Sequence, residues 1–143
     1  MHVFLDSDGL TNLETLISHV RNSDCLVVLL TDEVLRRPWC AVEVVVACKA
    51  ESCQLMPVIL DDATAKVSDF IARNPWTTFG SDAMALFTQY GITQADIEDA
   101  YQILAGVEPV VLQTTDMDAQ EEGLQELLNR RQPSIILLCG CVC

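Results

Sequence analysis

Two apolar runs of strand length constrain the fold of this chain more than any other feature. Cys25 to Leu30 is entirely apolar, and Gln54 to Leu60 is apolar after its first residue. Continuous apolar runs are typical of strands that are covered on both faces, as in parallel sheets. Two parallel strands need a crossover between them, and that crossover is usually a helix. The two runs therefore predict a βαβ unit.

The segment between these two runs carries conflicting local signals. Pro38 suits the first position of a helix, whereas Val42 to Val46 is rich in β-branched residues, which favour strands. The need for a crossover decides in favour of a helix. Glu43 then lies in a helix that is otherwise almost wholly apolar from Trp39 to Cys48. A carboxylate there needs a solvated cleft, a partner or a chemical role.

Strand and helix patterns alternate along the rest of the chain. His2 to Leu5 is a strand candidate, and Thr11 with Glu14 forms a capping box for the helix that follows it. The later elements are a helix around Val67–Ile71, a helix capped by Ser81 and stopped by Gly91, and a helix capped by Thr93 that ends at Gly106. They are followed by a strand from Val107 to Gln113, a helix capped by Asp118, and a final strand from Ile135 to Val142. This order predicts one α/β domain over residues 1–143, with a parallel sheet flanked by helices.

Charge and hydropathy narrow the classes of function. The chain has 143 residues and a formal charge of -13, from 21 acidic and 8 basic residues. Such an acidic surface repels nucleic-acid phosphates and anionic membranes. No apolar run approaches the roughly 18 residues of a membrane helix, and the N-terminus lacks the basic region of a signal peptide. We therefore expect a cytoplasmic protein that binds neither nucleic acid nor membranes.

The seven cysteines are odd in number and lie mostly in apolar segments. This pattern fits reduced, buried thiols better than a disulfide framework. No CxxC pair is present, so no metal site is predicted. Cys139, Cys141 and Cys143 share one face of the last strand, where apolar packing is favoured over a metal or redox role. The absence of a Gly-rich phosphate loop argues against a dehydrogenase or a P-loop enzyme.

Four segments within residues 3 to 60 occur in the order of a known family. They are Val3-Phe4-Leu5-Asp6, a helix ending in Val20-Arg21-Asn22-Ser23-Asp24-Cys25, Pro38-Trp39-Cys40-Ala41-Val42-Glu43, and Met56-Pro57-Val58-Ile59. The third is similar to the Trp-Cys-x-x-Glu segment that opens the third helix of Toll/interleukin-1 receptor (TIR) domains. The chain thus resembles a TIR domain, which implies a flavodoxin-like parallel sheet of about five strands flanked by helices.

The chain departs from the TIR pattern at its start. TIR domains begin with a strand that lies centrally in the sheet, and no such strand precedes His2. An empty central slot would expose two long strand edges. We expect Ile135 to Val142 to fill that slot, since its apolar run suits cover on both faces; the alternative is an edge strand. The chain is then a circularly permuted TIR fold or a piece of tandem TIR units.

The resemblance also implies a candidate catalytic site. TIR enzymes cleave the nicotinamide–ribose bond of NAD, and Glu43 corresponds to their catalytic glutamate, which can stabilise an oxocarbenium-like charge. Trp39, one helical turn earlier, is a candidate pocket wall, and Asp6, Ser7 and Asp8 are candidates for substrate binding. NAD would be a substrate, and no cofactor is expected. The competing interpretations are a surface position for Glu43, core packing for Trp39 and plain turn formation for the loop.

Many TIR domains act only by association, and the preferred interpretation is signalling through contacts with other TIR domains, including further copies of this chain. The family's BB loop corresponds to Asp6 to Asn12, which is acidic here, and we expect Asp8-Gly9-Leu10-Thr11 within it to be the interaction loop. The Arg36-Arg37 pair is either solvated or in contact with a phosphate or a partner. A third interpretation is a folded fragment whose function depends on a segment outside this sequence.

Overall fold

Five strands and six helices make up the part of the chain that the structure describes. The computed structural model describes residues 2–5, 13–60, 67–73, 79–113, 121–123, 125–126, 129 and 134–138. The strands are β1 (His2–Leu5), β2 (Cys25–Leu29), β3 (Gln54–Leu60), β4 (Val110–Leu112) and β5 (Ser134–Leu138). The helices are α1 (Leu13–Arg21), α2 (Asp32–Arg36), α3 (Pro38–Lys49), α4 (Val67–Ala72), α5 (Ser81–Gln89) and α6 (Gln94–Gly106). The predicted α/β architecture, a parallel sheet flanked by helices, is confirmed.

The strands pair in the order β1-β5-β2-β3-β4, and every pair is parallel. β5 lies inside the sheet, because Ile135 has a Cα partner on each side, Val3 of β1 and Cys25 of β2. Among the described residues, β1 pairs with β5 alone. The last strand therefore does not lie at an edge. The rest of its predicted range, with Cys139, Cys141 and Cys143, falls outside the described residues.

The hydrophobic core has two parts, one on each face of the sheet. Leu26 and Val28 of β2 pack with residues of α1, α3, α5 and α6. Cys25 and Val27 pack on the other face with three buried residues of the neighbouring strands, Met56, Val58 and Val110. Successive side chains of a strand point to opposite faces. The continuous apolar run of β2 thus follows from its burial on both faces.

α3 resolves the conflict between local propensity and topology. It begins at Pro38, whose missing N–H would be unpaired at this position anyway, and it continues through Val42–Val46 to Lys49. Eight consecutive residues, Cys40 to Ala47, are buried. Burial of this apolar helix against the sheet and α6 outweighs the weak helix propensity of valine, which is only a few tenths of a kcal/mol per residue, roughly. The prediction of a crossover helix is confirmed.

Capping residues or a glycine mark some of the other helix ends. Thr93 caps α6 through a capping box with Asp96, in which the Thr93 N–H donates to Asp96 Oδ2 at 2.7 Å. Gly91 follows α5 with φ of 64°, the left-handed region that glycine adopts without strain. The predicted cap at Ser81 is wrong, because Gly80 is the N-cap and Ser81 is the first helical residue. No helix within the described ranges is long and apolar enough to cross a membrane.

A helical stretch at residues 121–123 packs closely on β4. A Cβ atom on Gly123 would lie 2.8 Å from both Leu112 Cδ2 and the Val111 carbonyl oxygen. Leu112 belongs to the smaller part of the core, on the face of the sheet opposite α1 and α3. Gly123 therefore allows a close approach that any larger residue would prevent, and it brings this stretch onto that second face.

Candidate functional site

The chain leaves β2 through a tight corner between α2 and α3, residues 35 to 40. The short helix α2 was not predicted; Thr31 caps it, and Thr31 Oγ1 accepts a hydrogen bond from the Val34 N–H at 3.1 Å. Arg37 is extended, with φ of -80° and ψ of 124°, and its N–H donates to the Val34 carbonyl oxygen at 3.2 Å. α2 therefore ends at Arg36, and α3 begins in a new direction at Pro38.

Tyr101 of α6 holds this corner from across the core. Its hydroxyl donates to the Leu35 carbonyl oxygen at 3.0 Å, and the side chain is 1% exposed. Leu35 lies in the last turn of α2, where carbonyls lack partners within the helix. Burial raises the pKa of the Tyr101 phenol, and the nearby Cys40 thiol raises it further. The phenol therefore stays protonated and remains a hydrogen-bond donor.

Glu43 lies in the buried part of α3 and is 0% exposed. Its sequence neighbours Val42 and Val44 are also buried. The interpretation of Glu43 as a solvated surface residue is therefore wrong. Its side chain lies in the protein interior, on a helix that packs against α1, α6 and β3.

Trp39 lies one turn before Glu43 on the same helix but is 47% exposed. The interpretation of Trp39 as a core residue is wrong, since this side of the first turn of α3 faces solvent, whereas Cys40 and Ala41 of the same turn are buried. Arg36, three residues earlier, is exposed as well. Arg37 pairs with Glu33 at 2.6 Å, and Glu33 itself is 61% exposed. The corner thus presents an aromatic ring beside basic side chains.

The corner lies at the carboxyl edge of the sheet, because it follows the last residue of β2. In open parallel sheets, ligands bind beyond this edge. The structure brings Glu43 and Trp39 together on one helix there. The other predicted site residues, Asp6, Ser7, Asp8, Gly9, Leu10 and Thr11, follow β1 and lie outside the described residues.

An open cleft of about 900 Å³ lies at the opposite, amino edge of the sheet, at the far end of α3. Its floor consists of four buried apolar residues, Ile17, Val45, Val46 and Ile92. Half-buried Tyr90 also lines it, and the charged residues around it are Glu14, Arg21, Lys49 and Glu51. The sequence did not predict this cleft, since its residues come from α1, α3, the turn after α3 and the segment after α5, each of which has an ordinary helical or turn pattern.

Lys49, one of the charged residues of the cleft, forms an ion pair with Asp96. Lys49 Nζ lies 2.8 Å from Asp96 Oδ1. The hydrogen bond from Lys49, together with those from the Thr93 backbone and side chain, lowers the pKa of Asp96 to about 2. The pair joins the C-terminal end of α3 to the N-terminal end of α6. The helix dipoles favour a positive charge such as Lys49 at the first end and a negative charge such as Asp96 at the second.

Three thiols lie near the amino edge of the sheet. Burial is the main cause that raises the pKa of Cys25, Cys48 and Cys53 to about 11, and the nearby Cys53 contributes to the raised values of the other two. A thiol with a raised pKa is a poor nucleophile and a poor metal ligand, because the thiolate is the reactive form. These cysteines are free, and no group of three metal-binding side chains occurs in the described part of the chain. Their role is apolar packing.

The fold thus defines an α/β domain whose parallel sheet is flanked by helices. A scan against protein-family models finds no match to this chain, and a search of curated proteins finds no similar sequence. The functional interpretation therefore depends on the geometry of the corner and the cleft, together with the residues that carry the TIR resemblance.

Proposed function

We propose that this chain is a TIR-type signalling module that acts by association with other TIR domains and has a circularly permuted, flavodoxin-like sheet. Support for the fold comes from the strand order. When β5 is counted as the first strand and the others follow in chain order, the observed order β1-β5-β2-β3-β4 becomes 2-1-3-4-5. That is the strand order of flavodoxin-like sheets.

The positions of the connecting segments also support this fold. From β1 through β2 to β3, the chain moves in one direction across the sheet. The helices that connect these strands, α1 and α3, pack on the same face. The return from β4 to β5 runs in the opposite direction across the sheet. Crossover connections between parallel strands are almost always right-handed. A connection that runs across the sheet in the opposite direction stays right-handed only if it passes over the opposite face of the sheet. The contact of Gly123 with Leu112 lies on that other face.

The observation that carries the proposed function is the contrast between Glu43 and Trp39. They lie one turn apart on α3, yet Glu43 is 0% exposed and Trp39 is 47% exposed. A catalytic carboxylate must contact its substrate, and this one has no accessible surface in the observed arrangement. Exposed tryptophan is, in contrast, among the residues that contribute most to protein–protein binding. Association is therefore favoured over catalysis.

Sedimentation velocity of the purified chain tests this proposal. We expect the weight-average mass to rise with concentration and the Asp8→Lys substitution in the predicted interaction loop to weaken that rise. Asp99→Lys, a charge reversal at an exposed site on α6, is the matched control and should have little effect. The proposal would be refuted if the mass stays that of a monomer up to about millimolar concentration, because even a weak interface with a dissociation constant near that value would then be partly occupied.

A second candidate is an NAD glycohydrolase, which is favoured by the placement of Glu43 and Trp39 at the carboxyl edge of the sheet. The bond between ribose C1′ and nicotinamide breaks, and nicotinamide leaves with the electron pair as a neutral ring. Water then adds to C1′ and releases a proton, which gives ADP-ribose. The Glu43 carboxylate would stabilise the oxocarbenium-like transition state. This activity requires a rearrangement that exposes Glu43.

Release of nicotinamide from NAD, measured by chromatography at high protein concentration, tests the second candidate. Glu43→Gln keeps the size of the side chain and should abolish release, whereas Glu33→Gln, at an exposed site near the corner, should not. Circular dichroism of both variants checks that each one is folded. Absence of release from the unmodified chain, or equal release from Glu43→Gln, excludes catalysis by Glu43.

A further inference from the structure

We infer that copies of this chain associate head to tail, with the α2–α3 corner of one copy inserted into the cleft at the far end of α3 in the next copy. The corner contributes Arg36 and Trp39, and the cleft contributes its apolar floor and Glu51. This inference rests on the proposed function, association, and adds a contact between two specific surfaces that copies require in addition to the predicted interaction loop. Both surfaces lie wholly within the described residues.

The corner combines the two kinds of side chain that most often dominate binding energy, tryptophan and arginine. Trp39 and Arg36 are both exposed and are three residues apart across the corner. The other exposed large apolar residues of the described chain lack this combination, since no Lys or Arg lies within three positions of Leu60, Ile103 or Val111. The corner is therefore the described surface best suited to insert into an apolar cleft with acidic groups around it.

The backbone of the corner is held rigidly before any partner arrives. Tyr101 donates to the Leu35 carbonyl oxygen at 3.0 Å, and the Ala41 N–H donates to the Arg37 carbonyl oxygen at 3.1 Å. Pro38 adds a fixed φ between them. A contact surface that is already ordered loses less conformational entropy on binding, which favours affinity.

The cleft is complementary to this corner in its apolar surface. Its floor, formed by Ile17, Val45, Val46 and Ile92, is apolar although it faces an open space of about 900 Å³. The aromatic ring of Tyr90 adds a wall. An indole ring buries roughly 150–250 Å² of surface when it is enclosed. The cleft has room for Trp39 together with the residues that precede it.

The charges around the cleft also suit an arginine. Glu51 is an exposed acidic residue of the cleft, whereas the positive charge of Lys49 is compensated by Asp96. α1 and α3 both end at the cleft, so the negative ends of two helix dipoles point to it. Arg21 would repel Arg36 if they met directly, so we assign the partner of Arg36 to Glu51, on the turn after α3. The formal charge of -13 makes copies repel each other elsewhere, which favours contact at a basic corner.

The two surfaces lie at opposite ends of α3, about 18 Å apart for a helix of this length. A corner therefore cannot reach the cleft of its own copy. Each added copy leaves one corner and one cleft unoccupied, which is the property of a heterologous interface. Such contacts produce a ring or an open chain of copies, and a closed symmetric dimer does not satisfy them.

Single substitutions on each surface give the first test, read as the dissociation constant from sedimentation velocity. Trp39→Ser in the corner and Ser52→Arg at the cleft should each weaken association by at least about 30-fold, the loss typical of a central interface residue. Ile103→Ser and Ser68→Arg are matched controls at equally exposed sites elsewhere and should change it by less than about threefold. Equal effects of test and control variants would overturn the inference.

Mixing the two defective variants gives the decisive test. The Trp39→Ser copy keeps its cleft, and the Ser52→Arg copy keeps its corner. Each should be monomeric alone, but an equimolar mixture should form a one-to-one dimer that grows no further. A mixture that stays monomeric, or that assembles beyond two copies, contradicts head-to-tail insertion.

A charge exchange separates this inference from the proposed function. Arg36→Glu and Glu51→Arg should each weaken association, and the double variant should recover most of it. If the unmodified chain associates but all these variants behave like the controls, the two surfaces are wrong while association stands. If the unmodified chain is monomeric throughout, the proposed function fails and this inference fails with it.

Discussion

At the scale of single residues, two polar contacts join distant parts of the chain. Tyr101 of α6 connects to Leu35 of α2, and Asp96 of α6 connects to Lys49 of α3. The first contact is buried and the second lies at the surface. Their contributions to stability should therefore differ in size and in dependence on pH.

Tyr101→Phe keeps the ring in the core and removes only the hydroxyl group. The Leu35 carbonyl oxygen then loses its donor in a buried position, so we expect the free energy of unfolding to fall by about 1–3 kcal/mol. Urea unfolding followed by circular dichroism measures this change. Tyr90→Phe, at the half-buried ring of the cleft, is the control. Equal losses in the two variants would contradict the role assigned to the Tyr101 hydroxyl.

Asp96 should make stability depend on pH in the acidic range. Its pKa is lowered to about 2 in the folded protein, from an ordinary value of 3.8. A lowered pKa means that the unfolded chain takes up the proton first, so the contribution is present above about pH 4 and is lost as the pH falls towards 2. Asp96→Asn should be less stable than the unmodified chain at pH 6, with the difference shrinking at pH 2.

Urea unfolding at pH 2, 3, 4 and 6 gives that difference directly. Asp99→Asn removes an exposed acid from the same helix and controls for the change in net charge. If the effect of Asp96→Asn is the same at every pH, the Lys49–Asp96 contact does not contribute in the way described.

At the scale of secondary-structure elements, the accuracy of the sequence-based predictions depended on whether the signal was local. The bounds of β3 and the cap and end of α6 were predicted because apolar composition, Thr93 and Gly106 mark them in the sequence. α3 required a topological argument, since Val42–Val46 alone favours a strand. α2 was missed because its five residues carry no apolar repeat, and only its cap at Thr31 marks it.

The two surfaces of the candidate site were harder to predict for a different reason. The exposure of Trp39 and the burial of Glu43, on one helix, depend on where α3 lies relative to the sheet and α6. Neither position can be read from helical spacing alone. The cleft depends on the relative placement of α1, α3 and the end of α5. Such relations arise from tertiary packing, which a single sequence does not specify locally.

Gly123→Ala tests how closely the segment at residues 121–123 approaches β4. The new methyl group would lie 2.8 Å from a backbone oxygen, so the segment must shift, and we expect a loss of about 1–3 kcal/mol in the free energy of unfolding. Gly106→Ala is the matched control, because a Cβ there meets no atom within 4 Å. Equal stability of the two variants in thermal unfolding would show that the close contact is absent.

At the scale of the whole molecule, the position of β5 decides whether the sheet is continuous. β5 pairs with β1 on one side and β2 on the other, and β1 has no other neighbour within the described residues. Without β5, the β2 edge is left open and β1 has nothing to pair with. Open strand edges of this kind promote aggregation.

Removal of residues 134–143 should therefore abolish cooperative unfolding and produce aggregates. Removal of residues 139–143 alone keeps β5 and serves as the control. Circular dichroism during heating and light scattering at room temperature distinguish the two outcomes. A shorter chain without β5 that stays monomeric and unfolds cooperatively would show that the central position of β5 is not required.

The same pairing has a consequence for how the protein forms during translation. β1 leaves the ribosome early, whereas its neighbour β5 is synthesised more than a hundred residues later. At ordinary elongation rates that interval is on the order of ten seconds. Throughout this time the nascent N-terminal strand has no native neighbour, and the sheet cannot close. The sheet therefore cannot be completed until β5 has emerged, and chaperones that bind extended apolar segments have time to act on β1 before then.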